Sequence, residues 1–242
     1  MYWIERNSSL DIDEQKIVKY LDDNNIEYQF FSKKQLIRDK IKLIYGDFIF
    51  GSITSIIHSF KKMNIPLTSP INYPKELNGF YHRKIWTENL ETAIKNSNIN
   101  KDYFIKPKNE YKSFTGFLMS NEFGKVNKLL KKYGREYELD CSEEIDFISE
   151  FRCYIVDGEL KHISNYFGEE MNIEDYNYLE IINSLITNEK FYNTSLDLGI
   201  TSNNILSVIE HNASFSIDSY DCPYHIYSEL LINGWREIYR SN

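Results

Sequence analysis

Glu210 and Asn212 stand two residues apart in the stretch ILSVIEHNASF, after the apolar positions Ile205, Leu206, Val208 and Ile209. Side chains at i and i+2 of a strand share a face, so a carboxylate and an amide oxygen would point the same way. Hard oxygen donors of this kind suit Mg²⁺, which keeps several waters and shares its shell with substrate phosphates. Asp197, in SLDLGIT, lies upstream on a second short apolar run. A hairpin of Leu196–Thr201 and Ile205–Ile209 would set Asp197 beside Glu210. Taken alone, the E-x-N spacing equally describes a polar strand end with solvated side chains. His211 falls on the opposite face by alternation and is not counted as a ligand.

Cations complement these oxygens. Lys106 ends the apolar strand YFIKP, and the polar loop Lys108–Gly116 follows before a returning strand at Phe117–Met119. A lysine at a strand end supplies a point charge, and loop N–H groups supply oriented donors, which together make a phosphate cradle. An ordinary hairpin with exposed lysines has the same pattern. Arg83 and Lys84 precede a stretch with Trp86, Leu90 and Ile94 at helical spacing. Two cations at a helix start oppose its dipole, a conflict that an anionic ligand would resolve and a solvated basic patch would merely tolerate. Arg152 sits in EFRCYIVDG, with Glu150 and Tyr154 on its face of the strand. It either ties the sheet through Glu150 or presents a fork to a phosphate or carboxylate. The G-x-x-x-x-G-K-[ST] and G-x-G-x-x-G strings are absent, and no Ser-His-Asp or Cys/His arrangement stands out.

The elements that must position these residues follow from periodicity. Tyr2–Glu5 and Ile26–Phe31 read as strands around a helix with Ile17, Val18 and Leu21, capped by Asp11 or Asp13 and ended at Asn24-Asn25. The run KLIYGDFIFG reads as another strand, and Gly51-Ser52 opens a helix with Ile53, Ile56, Ile57 and Phe60. Alternating strands and helices imply a parallel α/β unit. Pro66–Pro74 reads as a linker or loop. Further on come a helix at Val126–Tyr133 capped by Gly134, strands at Tyr137–Cys141 and Ile145–Val156, and a turn at Asp157-Gly158. Lys161-His162 open the return strand, and a helix follows at Tyr176–Asn188.

Composition narrows the function classes. The 242 residues include 42% hydrophobic and 15% aromatic positions, enough to bury a core. A net charge of -8 disfavours general nucleic-acid binding, because the surface repels a phosphate backbone. Cys141, Cys153 and Cys222 lack metal-type spacing and read as reduced thiols. No apolar run approaches the length of a membrane span, and no secretory signal pattern opens the sequence, so a cytoplasmic protein without membrane association is expected.

In order and spacing, the motifs resemble those of the ATP-grasp superfamily, and more closely a clade of small ATP-grasp proteins from bacteria and phages. They are Arg83-Lys84, FIKP with its loop to FTG, the hinge CSEEI, EFRCYIVDG, DLGI and IEHNASF, and they run from about Tyr73 to the C-terminus. EFRCYIVDG also resembles the D-x-R-x-x-V strand of glutathione-synthetase-like and ribosomal-protein-modifying members, with Glu150 where those have Asp. The resemblance implies an α+β ATP-grasp fold, two α+β subdomains around the nucleotide, over residues 73–242. Residues 1–72 would form an N-terminal α/β unit like the domain that precedes the core in that superfamily.

The resemblance also implies roles. Lys84 and Lys106 would hold the α and β phosphates of ATP under the Lys112–Gly116 loop. Glu143, Glu144 and Ile145 would hold adenine and ribose. Asp197, Glu210 and Asn212 would ligate Mg²⁺ or Mn²⁺. Arg152 would face the γ-phosphate or an acyl phosphate made from it, and Arg152 and Lys106 would carry catalysis. The loop is poorer in Gly than typical members, and Asp197 replaces a glutamate found in many families. The implied activity is ATP-dependent ligation of a carboxylate to an amine acceptor. Phosphotransfer to another acceptor, or nucleotide binding without turnover, are the alternatives.

Overall fold

A computed structural model of the chain describes residues 1–6, 10–97, 103–170, 178–187 and 191–241. In chain order the elements of the first part are β1 (Tyr2–Glu5), α1 (Ile12–Asp23), β2 (Tyr28–Phe31), α2 (Lys33–Ile37), β3 (Phe48–Phe50) and α3 (Ile53–Lys62). Next come β4 (Ile85–Asn89), α4 (Leu90–Ser97), β5 (Tyr103–Pro107), β6 (Phe117–Leu118), α5 (Phe123–Tyr133) and β7 (Glu138–Glu143). The last part holds β8 (Phe147–Val156), β9 (Glu159–Gly168), α6 (Tyr178–Ile186), β10 (Thr194–Thr201), β11 (Leu206–Ala213) and α7 (Tyr224–Arg240). Two compact units cut across this order. The first joins Met1–Thr68, Ser149–Leu198 and Asn212–Asn242; the second joins Ser69–Ile148 and Gly199–His211.

In the first unit, β1 pairs in parallel with β2 on one side and β3 on the other, as alternating strands and helices predict. Asp11 caps α1 through a capping box: its Oδ1 accepts the Glu14 N–H at 2.9 Å, and Glu14 Oε2 accepts the Asp11 N–H at 2.9 Å. The short α2 went unanticipated, although Ser32 and Gln35 form the same kind of box. KLIYGDFIFG is a strand only at Phe48–Phe50. Buried Asp47 breaks the run by accepting the Ile44 N–H at 3.0 Å and the Trp3 indole N–H at 3.1 Å. Tyr227, Leu230, Leu231 and Trp235 of α7 share one core with Ile4, Ile17, Phe48 and Phe60. β8 and β9 form an antiparallel hairpin whose turn residues Asp157 and Gly158 both have positive φ, 50° and 77°. The strand order of their sheet is β11-β10-β8-β9. Of the helix expected at 176–188, α6 lies within it, and residues 176, 177 and 188 fall outside the described residues.

The second unit is built on a sheet of order β4-β7-β5-β6, all pairs antiparallel. α4 and α5 close its core with Leu90, Ala93 and Leu129 against Ile105, Leu139 and Cys141. Here one expectation is corrected. Trp86 lies in strand β4, not in a helix, because Ile85-Trp86-Thr87 are strand-favouring residues paired along β7. The helix starts only at Leu90, where Asn89 Oδ1 accepts the Thr92 N–H at 2.9 Å. Arg83 and Lys84 therefore precede a strand, and the helix-dipole conflict does not arise. Among the described residues no helix is long and apolar enough to cross a membrane.

Candidate functional site

In the second unit the alternation of β5 decides where Lys106 goes. Tyr103 and Ile105 enter the hydrophobic core, which turns Lys106 to the other face. Its Nζ lies 2.8 Å from Glu210 Oε2 and 4.1 Å from the centre of the Tyr73 ring. Burial by itself would lower the pKa of this amine. The Glu210 charge and hydrogen bond reverse that, and the net shift is upward, so Lys106 is a charged group. Sequence reading left Arg83 open to an anionic ligand or to a solvated basic patch. The Arg83 guanidinium instead donates to the carbonyls of Val208 and Ile209 at 2.8 and 3.0 Å, bracing the strand that carries Glu210. His211 Nδ1 lies 3.2 Å from the Ile71 carbonyl oxygen.

Residues missed in the sequence come from Pro66–Pro74, read as a linker or loop. This segment is irregular, yet Tyr73 packs on Lys106. Asn72 Nδ2 donates to the Pro107 carbonyl at 2.9 Å and to Asp140 Oδ2 at 2.8 Å. No periodic or spacing signal marks either residue.

Lys84 is exposed, its Nζ 5.8 Å from the Trp86 ring. Its backbone is tied to Glu143 twice: Glu143 Oε2 accepts the Lys84 N–H, and the Lys84 carbonyl accepts the Glu143 N–H, both at 3.0 Å. Two residues expected at one nucleotide are thus adjacent. Glu144 is exposed and Ile145 half-buried, both in the irregular link between β7 and β8. Lys112 is exposed on a turn with φ 45°. Its glycine-poor loop is held by aromatic residues. Tyr133 OH donates to the Ser113 carbonyl at 2.9 Å, Ser113 Oγ and Tyr137 OH lie 2.7 Å apart, and the Phe114 ring packs on Tyr137. Gly116 is still required, because a Cβ there would overlap the Phe104 ring.

In the first unit, Arg152 donates from Nε and Nη2 to the two oxygens of Asp197, both at 2.7 Å. This is a bidentate, almost fully buried pair. The strand-face partner suggested by the sequence, Glu150, is hydrogen-bonded to Tyr166 instead. The guanidinium carbon lies 5.0 Å from the Tyr220 ring centre and 5.9 Å from that of Tyr166, and these two rings stack at 4.9 Å. Burial opposes the Arg152 charge, Asp197 more than offsets it, and its pKa rises above the ordinary value. Asn212 has its side-chain nitrogen buried without a hydrogen-bond partner.

The donor chemistry fits Mg²⁺. Two carboxylates and an amide carry hard oxygens of the kind Mg²⁺ takes; the Asn212 atom without a hydrogen-bond partner among the described residues is Nδ2, a donor and not itself a cation ligand. Among the described residues no group of three or more His, Cys, Asp or Glu side chains forms a metal cluster. The expected set has two carboxylates, Asp197 in the first unit and Glu210 in the second. Cys141, Cys153 and Cys222 are unpaired and buried.

Solved structures share this fold along nearly the whole chain. D-alanine–D-alanine ligase from Bacillus anthracis superposes with a TM-score of 0.56 at 14% identity, covering 99% of this chain and 97% of that one. A RimK-domain ATP-grasp protein from Sphaerobacter thermophilus gives 0.52 at 9% identity, with 98% and 100% covered. VanG D-Ala:D-Ser ligase from Enterococcus faecalis gives 0.52 at 11%, with 98% of each. The architecture is therefore the α+β fold of the ATP-grasp proteins. The model of an ATP-grasp domain family, the second family of its clade, matches residues 80–230, and the chain belongs to that family. No curated protein matches the chain.

Proposed function

We propose that this protein is an ATP-dependent carboxylate–amine ligase that works through an acyl phosphate. The observation that carries the reading is the buried, charged Lys106 beside Glu210, on a fold whose solved relatives include several ligases. Activation by phosphoryl transfer asks for positioning and charge neutralisation more than for a protein nucleophile. The thiols agree with that. Burial pushes Cys222 up to about 12 and Cys141 and Cys153 further, so none is a thiolate at neutral pH.

In this reading Lys84 and Lys106 hold the α and β phosphates, with the Lys112 loop over them. Glu143, Glu144 and Ile145 take adenine and ribose. Asp197, Glu210 and Asn212 hold Mg²⁺ or Mn²⁺, which when bound supplies neutralisation of the phosphate charge. Arg152 orients the γ-phosphoryl group and then the acyl phosphate, with Asp197 fixing its plane. Residues 1–72 are the domain preceding an ATP-grasp core at 73–242. The chain acts in the cytoplasm, as one of the small ATP-grasp proteins of bacteria and phages. The amine acceptor is a small molecule, a peptide or a protein.

Trapping tests the chemistry. With MgATP, candidate carboxylic acids and hydroxylamine, ADP and a hydroxamate should form together. ADP with a stable phosphoester and no hydroxamate would identify a phosphotransferase. Nucleotide binding with neither product would leave a binding protein.

A further inference from the structure

The loop Lys108–Gly116 is fastened along its length to one corner of the second unit, where α5 ends and β7 begins. Its first leg is tied to Glu138. The Lys108 N–H donates to the Glu138 carbonyl at 3.4 Å, Lys108 Nζ lies 3.2 Å from Oε1, and Asn109 Nδ2 donates to Oε2 at 2.7 Å. Its second leg is tied to two tyrosines whose rings stack at 4.4 Å. Tyr133 OH donates to the Ser113 carbonyl at 2.9 Å, and Ser113 Oγ meets Tyr137 OH at 2.7 Å. The Phe114 ring lies 6.3 Å from that of Tyr137 and 5.9 Å from that of Phe117. The corner itself is anchored, because the carbonyls of Arg135 and Tyr137 accept the Glu91 and Leu90 N–H groups of α4 at 3.0 and 2.9 Å. Between the two legs Lys112 is exposed at φ 45°, a backbone region that residues with a Cβ seldom adopt. Such a conformation persists where its surroundings fix it. Here the fixed neighbour is Ser113, held at both its carbonyl and its hydroxyl.

We propose that Tyr133 and Tyr137 are positioning residues that hold this loop in its phosphate-covering arrangement before nucleotide arrives. A free loop would be ordered at the moment of binding, and the chain entropy lost then would weaken affinity. A loop held by two phenol hydroxyls and stacked rings is ordered during folding instead. Apparent affinity then scales with the fraction of molecules whose loop is already in place. The two tyrosines act through Ser113, one residue beyond Lys112. The inference rests on the ATP-binding reading above, in which the Lys112–Gly116 loop covers the phosphates.

Trypsin cleavage of the full chain after Lys112, followed by mass spectrometry, reads the loop without any ligand. Cutting requires the loop to open, and its rate follows the open population. Wild-type protein should resist at that bond in the absence of nucleotide. The double variant Tyr133→Phe, Tyr137→Phe keeps both rings and removes both hydroxyls. Its cleavage after Lys112 should be about tenfold faster, with cleavage at other lysines unchanged. Calorimetry with a non-hydrolysable ATP analogue in Mg²⁺ should show about tenfold weaker binding by the same variant. Saturating analogue should slow its cleavage toward the wild-type rate. Should the double variant fail to fold, Ser113→Ala keeps the Tyr133 bond, loses the Tyr137 one, and should shift both readings about threefold. Wild-type cleavage after Lys112 as fast as that of the variant overturns the inference and leaves the ATP reading intact. So does a loosened variant that binds the analogue as tightly as wild type. Wild-type protein that binds no analogue in Mg²⁺ overturns the ATP reading and this inference with it.

Discussion

Arg152 and Asp197 illustrate how much a single residue's role depends on its partner. The guanidinium is buried, satisfied by a carboxylate that is itself 3% exposed. Removing one member of such a pair leaves a buried charge without compensation. Arg152→Met should therefore lower unfolding free energy by about 3–5 kcal/mol. Arg152→Lys keeps a charge but loses the fork, and should fall by roughly 1.5–3 kcal/mol. Urea melts of the two variants check both figures. A loss below about 1 kcal/mol for Arg152→Met would mean that the pair contributes as weakly as a surface ion pair. The fork matters for activity too: under the ligase reading Arg152→Lys should not restore turnover even where the protein stays folded.

At the scale of elements, close approach decides what a position tolerates. Gly234 lies inside α7, where Ala would ordinarily gain about 1 kcal/mol. Here an added Cβ would overlap Ser214 Oγ and Cβ, just beyond the end of β11. Ser214 is buried and its Cβ is fixed to the backbone, so the strain outweighs propensity. Gly234→Ala should destabilise by about 1–3 kcal/mol. Thermal melting checks the sign, and a stabilised variant would show that α7 and Ser214 can separate cheaply. The loop that Ser214 opens is held by α1 as well. The Ser219 N–H and hydroxyl donate to Asp13, and Lys16 Nζ donates to the Tyr220 and Cys222 carbonyls at 2.7 and 2.8 Å. An N-terminal helix thereby sets the loop whose Tyr220 ring covers Arg152.

For the whole molecule, the telling feature is that the first unit is assembled from three separate stretches of chain. Its N-terminal parallel sheet shares a core with Tyr227, Leu230, Leu231, Ile232 and Trp235 of α7. A fragment of residues 1–72 would expose that apolar face to water, at about 25 cal/mol for every Å² left uncovered. Three short strands and their helices bury too little to offset chain entropy without it. The fragment should show no cooperative melt by circular dichroism, whereas the full chain should. A cooperative transition in the isolated fragment would establish residues 1–72 as a self-sufficient domain.

Local chemistry was readable in the sequence because it is written in neighbours. Asp11 and Ser52 cap their helices, Asp157-Gly158 turns its hairpin, and alternation sends Lys106 to the face opposite the core. Those features depend on φ/ψ preference and on the two-residue period of a strand, which need no distant partner. The ATP-grasp resemblance was readable for a related reason: motif order survives along a chain even when each motif is weak. What the tertiary structure decided is who faces whom. Arg152 could have paired with Glu150 two residues away, yet it meets Asp197, 45 positions on. Arg83 could have faced a phosphate, yet it braces β11 from 125 positions away. Tyr73 and Asn72, in an irregular stretch with no pattern, enter the site beside Lys106 and Asp140. Side-chain pairing of buried charges is settled by desolvation, which penalises every unpaired arrangement. The partner that relieves the penalty is whichever one folding delivers.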